Sequence, residues 1–395
     1  MSPGGRVEIG TAARRYLSGT FAELCRIESP SGSERACGER VMAELRALGI
    51  ETLEDDAGRL TGSDCGNLLA RLPAAAATDA GGGPPAVMFC AHLDTVPPQA
   101  PVEPVLSEGV WENANEGILG ADNKAAVVVL LALARTLHAE GSPVELELLF
   151  TVGEERSLAG ASVFDVDRLN SHVGFVFDHA SEIGEVIERS PSHFRLEAHF
   201  RGASAHAGIR PEDGRNAIVA ASRAIAALPV GRVDEQTTIN VASISGGGAI
   251  NVVPDACSFT GEVRSLDQER AERLVGQAVE RIHDAAHLPD CDVDVDVSVE
   301  QTFAGYRQPP GGRAIAVAEA ALRQCGREPR RIASGGGSDV NALIAAGLDC
   351  VNLANGTRRP HEPGESVADE ALAEMLQVAL ALVEQSMVLE PSASR

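Results

Sequence analysis

The amino-acid sequence predicts an α/β domain interrupted by an inserted ferredoxin-like α+β module. Three observations carry this expectation. Short apolar runs alternate with helical periodicity up to about residue 187, the pattern of an α/β core. From residue 188 the order becomes β-α-β-β-α-β, which is that of a ferredoxin-like unit. Near residue 304 the α/β texture resumes, so the first domain closes around the insertion.

Residues 12–28 and 34–48 open the chain as two helices, the first with Leu17, Phe21, Leu24 and Cys25 on one face, the second with Val41, Leu45 and Leu48. GNLLARLP and AVMFCAHLD then read as short buried strands, separated by the turn-rich TDAGGGPP. A helix near 122–139 separates them from two further strands, VELELLFTVGEE and VGFVFDHA. In the insertion, FRLEAHFRG is a strand and GRNAIVAASRAIAAL a helix. TTINVASISGG and ACSFTGEVRS follow as strands, DQERAERLVGQAVERIHDAAH as a long charged helix and DVDVDVSVEQTF as an alternating strand. The chain ends with a helix near 311–325, the segment SGGGSDVNALIAAG, a short strand CVNLA and an amphipathic helix near 366–388. AAAATDAGGGPP and the tail EPSASR read as a loop and a frayed end.

Composition narrows the function. The 395 residues suit two or three domains, and 44% hydrophobic residues supply a sizeable core. With 33 Lys plus Arg against 57 Asp plus Glu, the formal net charge is −24. No basic cluster interleaved with aromatics offsets it, which argues against nucleic acid as a partner. Neither a secretory apolar stretch nor a run of about 18 apolar residues is present, so no membrane partner is expected and the chain reads as cytoplasmic. Eight cysteines, Cys25, Cys37, Cys65, Cys90, Cys257, Cys291, Cys325 and Cys350, are scattered without CxxC spacing and read as buried thiols.

Five places carry acid or imidazole groups at strand ends or in the loops after them, where an open α/β sheet gathers its active site. In AHLDT, His92 and Asp94 are two apart and share a face; one suits a metal ion and the other supports it from behind. Asp122 opens the apolar helix GADNKAAVVVLLALA, where a helix cap is the competing reading. Glu154 and Glu155 adjoin after ELELLFTV, as an exposed acidic turn or as a pair answered by a cation. Asp178 ends the buried run VGFVFD, where an unpaired carboxylate is costly, and His361 lies in the polar loop GTRRPHEPGE. Together they form a ligand set for two nearby divalent ions with one bridging carboxylate.

These residues, with AHLDTVP, ILGADNKAA, TVGEERSLAGA, FDHASEIG, GASAHAG, INVVPDA, GEVRSLD, GGGSDVNAL and HEPGE in that order, resemble the co-catalytic dizinc metallopeptidases. That family includes peptidase T, peptidase V, glutamate carboxypeptidase and the aminoacylases, and the likeness spans nearly the whole chain, nearest to the peptidase T-like branch. The resemblance implies a zinc-peptidase-like α/β catalytic domain over 1–187 and 304–395. A ferredoxin-like lid and dimerisation domain over 188–303 would make the protein a homodimer. It implies two divalent ions, Zn2+ with Co2+ or Mn2+ as alternatives, held by His92 and Asp178 at one site, Glu155 and His361 at the other, and Asp122 between. Glu154 would be the general base, and Asp94 would orient the His92 imidazole. The bond from Asp122 to Asn123 would be cis.

From the insertion, the resemblance brings His206, Asn251 and Arg264 to the substrate: His206 would polarise the scissile carbonyl or hold the oxyanion, and Arg264 would hold a substrate carboxylate. Gly336 and Gly337 of GGGSD would bring backbone N–H groups to a small peptide substrate. Asn123, Ala126 and the His179–Ala180 pair depart from the peptidase T pattern beside the ligands, and bear on substrate preference. The function implied is release of the N-terminal residue from small peptides. The alternatives are an N-acyl or N-carbamoyl amino acid amidohydrolase, and a catalytically silent metal- or peptide-binding protein.

Overall fold

A computed structural model describes residues 8–75, 85–288, 292–387 and 389. Cys291, most of the AAAATDAGGGPP loop and the EPSASR tail lie outside the described residues. The chain divides into two compact units. The first comprises the described residues up to Glu188, Arg307–Ser334 and those from Ser338 onward; the second comprises Arg189–Tyr306 with Gly335–Gly337.

The first unit is built on a mixed sheet. Along it the strands run Thr52–Glu54, Leu68–Leu72, Glu145–Thr151, Ala86–His92, Val173–His179, Asp349–Ala354 and Glu185–Ser190. The four central strands are mutually parallel. Parallel strands covered on both faces need continuous apolar sequence, and AVMFCAH accordingly buries every residue after the first. In register, His92 lies beside Thr151 and Cys90 beside Val176, so the C-terminal ends of three strands arrive level.

Helix Ala121–Glu140 packs on Ala86–His92 and touches the helices Thr11–Arg26 and Asp369–Ser386; Arg313–Gln324 packs on Asp369–Ser386. Its sequence is apolar almost all round, and nearly all of its first 14 residues are buried, as expected of a helix enclosed by others rather than lying on a surface.

The last helix begins at Asp369 rather than near residue 366. Ser366–Ala368 instead pairs with Val110–Asn113 in a small antiparallel sheet that also contains Pro104–Ser107 and Thr357–Arg358. This sheet and the strand Glu185–Ser190 were not expected.

The second unit is an antiparallel sheet in the order Gly231–Asp234, Thr237–Gly246, Ala256–Ser265, Ser192–Arg201, Asp294–Phe303. Alternation along Ser192–Arg201 turns Phe194, Leu196, Ala198 and Phe200 into a core shared with helices Ala217–Ala227 and Gln268–Ala286. Its four long strands and two helices follow the ferredoxin-like order, with Gly231–Asp234 as an added edge strand. No helix of the described residues is long and apolar enough to cross a membrane.

Candidate dinuclear metal centre

In the first unit, the acids and imidazoles singled out above lie at strand ends, at a helix start or in loops. His92 closes Ala86–His92, with Asp94 two residues on. Glu154 and Glu155 follow Glu145–Thr151, and Asp178 is the penultimate residue of Val173–His179. Asp122 is the second residue of Ala121–Glu140. His361, at φ +67°, sits in the loop between Thr357–Arg358 and Ser366–Ala368.

Two groups result, His92 with Glu154 and Asp178, and Asp122 with Glu155 and His361; within each, one ligand atom per residue lies within 4.8 Å of the others. Asp122 faces both. Its Oδ1 is 3.3 Å from His92 Nε2 and its Oδ2 is 3.4 Å from His361 Nε2. His92 Nε2 is 3.5 Å from Asp178 Oδ1, and His361 Nε2 is 2.7 Å from Glu155 Oε1. Asp122 Oδ1 and Glu155 Oε1 are buried and accept no hydrogen bond of good geometry, although the His92 and His361 nitrogens stand 3.3 and 2.7 Å away. Buried carboxylate oxygens left unanswered are costly, and a cation answers them. The donor set therefore fits two divalent ions sharing the Asp122 carboxylate.

The backbone prepares this arrangement. Gly120 and Gly153 adopt φ +76° and +64° just before the segments that bear Asp122 and Glu154, a conformation that glycine takes without steric cost. The Asp122–Asn123 peptide bond is cis. His92 Nδ1 lies 3.0 Å from the Asp94 carbonyl and 3.3 Å from its carboxylate, which leaves Nε2 directed at the groups above. The Asp94 carboxylate accepts the Glu154 and Glu155 N–H groups at 3.0 and 3.1 Å and the Ser31 hydroxyl at 2.6 Å. Asn352 clasps the Asp178 backbone, donating to its carbonyl and accepting from its N–H, both at 3.0 Å.

Electrostatics in the metal-free protein follow from burying several acids around two imidazoles. Burial, reinforced by the Asp178 charge, pushes the Glu154 carboxyl well up. Asp178 is pushed up to about 8 by burial, which His92 only partly offsets. Burial works against protonation of His92, yet the carboxylates of Asp178, Asp122 and Asp94 hold it well above its ordinary value. His361 is raised to about 10 by Asp122 and Glu155. Asp122 stays below the usual carboxylate range because His361 and His92 outweigh its burial. Protons shared among these groups are what arriving cations displace.

The remaining candidates lie in the second unit. His206 and Asn251 are exposed and occupy adjoining segments: His206 bridges Val252, and the Asn251 carbonyl accepts the Ala207 N–H at 2.9 Å. Arg264, on Ala256–Ser265, forks onto Glu262 through Nε and Nη2, both at 3.1 Å, and Glu262 also meets His193 Nε2 at 2.9 Å. The Gly336 carbonyl accepts the Ser190 hydroxyl at 2.9 Å. A Cβ on Gly337 would lie 2.5 Å from the Phe303 ring.

Sequence reasoning missed Glu34, Asp339 and Glu365 as buried acids of this region. Asp339 Oδ2 accepts the Thr151 hydroxyl at 2.5 Å, and burial raises its carboxyl to about 6. Glu34 accepts the Gly153 N–H at 3.0 Å. The only available signals were an acid after GGGS and acids within SGSE and HEPGE.

Comparison with known proteins is consistent with this geometry. The sequence profile of the M20 peptidase dimerisation domain matches residues 190–288, and that of peptidase family M28 matches residues 67–184. The chain is 32% identical to the uncharacterized protein YqjE of Bacillus subtilis, over 93% of this chain and 97% of that one. Aminopeptidase PepT from Bacillus cereus superposes with a TM-score of 0.81 at 33% identity, covering 94% of this chain and 98% of that one. A tripeptidase from Staphylococcus aureus superposes with a TM-score of 0.86 at 27% identity, covering 97% and 100%.

Proposed function

Because the chain belongs to the M20-type dinuclear metallopeptidases, we propose that it releases the N-terminal residue from short peptides, tripeptides foremost. The observation that carries the reading is the Asp122 carboxylate facing two imidazole–carboxylate groups at once. His92 and Asp178 would hold one ion, Glu155 and His361 the other, and Asp122 would serve both. Zinc is the favoured metal, with cobalt and manganese as alternatives that accept the same ligands. Ions bound there would supply Lewis acidity and make water a competent nucleophile near neutral pH.

The chain's own residues then have distinct tasks. Glu154, buried and raised, removes a proton from the attacking water and delivers it to the leaving amine. Asp94 fixes the His92 tautomer and ring orientation. From the second unit, His206 stabilises the developing oxyanion. Arg264 takes the substrate's C-terminal carboxylate on its outer edge, Asn251 hydrogen-bonds the peptide, and Gly336 and Gly337 offer backbone N–H groups. The second unit also pairs two copies into a homodimer, as the dimerisation profile supports. Scattered buried thiols suit a reducing cytoplasm.

The test compares a free tripeptide with its N-acetylated counterpart, using enzyme reconstituted with each metal and a chelated control. Mass spectrometry is expected to detect metal-dependent loss of the first residue from the free peptide alone. Cleavage of only the acetylated compound would make the chain a deacylase, and cleavage of neither would reject hydrolysis of both substrate types.

A further inference from the structure

We propose that Glu365 is a positioning residue of the metal centre: its buried carboxylate holds the chain from Leu119 to Asp122 so that the Asp122 carboxylate spans both ion sites. The inference rests on the reading of Asp122 as the shared ligand. Glu365 is 1% exposed and belongs to neither group of candidate ligands. Its Oε2 accepts the N–H groups of Leu119 and Gly120 and its Oε1 that of Asp122, each at 2.8 Å.

The Asp122 amide needs a partner for a specific reason. The first turn of a helix leaves its N–H groups without intrahelical acceptors, and a side chain at the N-cap ordinarily answers one of them. Helix Ala121–Glu140 has Gly120 at its N-cap, with no side-chain cap, and Asp122 and Asn123 have non-helical backbone angles. Asp122, the first acidic residue of the helix, is turned to the imidazoles. A residue that faces two ion sites is not available to cap its own helix. Glu365 answers the Asp122 N–H, and with it those of Leu119 and Gly120 just before the helix, from more than 240 residues away.

A carboxylate is the group that suits the task. It is acceptor-only, with two oxygens and enough lone-pair sites for three donors, whereas Gln would turn an NH2 group toward at least one N–H. Placing a negative charge at a helix start is also favourable. Glu365 lies four residues after His361, so one loop contributes both a candidate ligand and the brace for the shared one. The His361 loop and the Asp122 turn are therefore fastened to each other at the backbone.

The test is E365Q in the full-length protein, with three readings besides activity. In the metal-free protein, hydrogen exchange at the Leu119, Gly120 and Asp122 amides should accelerate. Competition titration with Zn2+ should show the weaker of two ions losing roughly ten- to hundredfold in affinity, the range for removing a group that orients ligands. The visible spectrum of the Co2+-loaded protein should shift as the geometry at Asp122 relaxes. A lower melting temperature with unchanged ion affinities and an unchanged Co2+ spectrum would mean a purely structural role and overturn the proposal.

Two ions bound by the wild type and equally tightly by E365Q would also overturn it, while leaving the dinuclear reading intact. Fewer than two ions in the wild type would reject both. Should E365Q fail to fold, E365D decides by the same readings: it keeps the charge and shortens the reach, so wild-type exchange, affinities and spectrum there would overturn the inference.

Discussion

Glu154 and Glu155 are neighbours in the chain whose carboxylates join different groups, and the backbone beneath them shows how. The N–H groups of Gly153, Glu154 and Glu155 are bound in succession by Glu34 Oε1, Asp94 Oδ1 and Asp94 Oδ2, at 3.0, 3.0 and 3.1 Å. With the turn fixed, the two side chains diverge and cannot exchange places. Glu154→Gln is therefore expected to lower turnover by about 10²–10⁴-fold while two ions remain bound; activity assays beside metal analysis check it, and wild-type turnover rejects Glu154 as the base.

Proton linkage gives a second expectation at the residue scale. In the metal-free protein His361 is raised from 6.5 to about 10 and Asp178 from 3.8 to about 8. Both bind protons more tightly folded than unfolded, so both stabilise the fold at low pH. The His361 contribution is complete below about 6.5 and lost as pH rises through about 10; that of Asp178 is complete below about 3.8 and lost through about 8. Asp122, held low, acts oppositely and only at the acid end. The melting temperature of chelated protein should fall from pH 7 to pH 10, and the rise produced by added Zn2+ should grow over the same interval. A melting temperature that climbs with pH in chelator would contradict this.

Which residues could be read in advance follows from where their partners lie. His92, Asp178 and the Glu154–Glu155 pair stand out because each ends an apolar run, a local contrast visible in sequence. Glu34 and Glu365 bind backbone amides 119 and more than 240 positions away, and nothing near either acid announces that.

At the scale of the element, the apolar helix Ala121–Glu140 was legible because ten hydrophobic residues, from Ala125 to Ala134, follow one another without a charge. Burial on all sides makes it sensitive to lost volume. Leu133→Ala, at a fully buried position, should cost about 2–5 kcal/mol, measured by chemical denaturation of the metal-loaded protein; a loss below half a kcal/mol would contradict the packing. The small sheet of Pro104–Ser107, Val110–Asn113, Thr357–Arg358 and Ser366–Ala368 was not legible. Its strands have two to four residues, too few for alternation to emerge. The same shortness made Ser366–Ala368 look like the first turn of the helix that follows it.

For the whole molecule, the interrupted architecture was readable from order alone, since β-α-β-β-α-β between two α/β stretches admits few other foldings. The dimerisation profile over 190–288 leads to the expectation that the chain sediments as a dimer at micromolar concentration, checked by analytical ultracentrifugation; a monomer there would contradict pairing.

Interruption of the first unit also sets a timetable. The strand Asp349–Ala354 lies between Val173–His179 and Glu185–Ser190, so the sheet waits for a piece that leaves the ribosome long after its neighbours. About 180 residues separate Asp178 from His361. At about 5–20 residues per second, roughly 10–40 s pass between their syntheses. Throughout that interval the nascent chain carries His92, Asp122 and Asp178 without His361, the Asn352 contacts to the Asp178 backbone or the Glu365 clasp, so neither the sheet nor the metal centre can be complete.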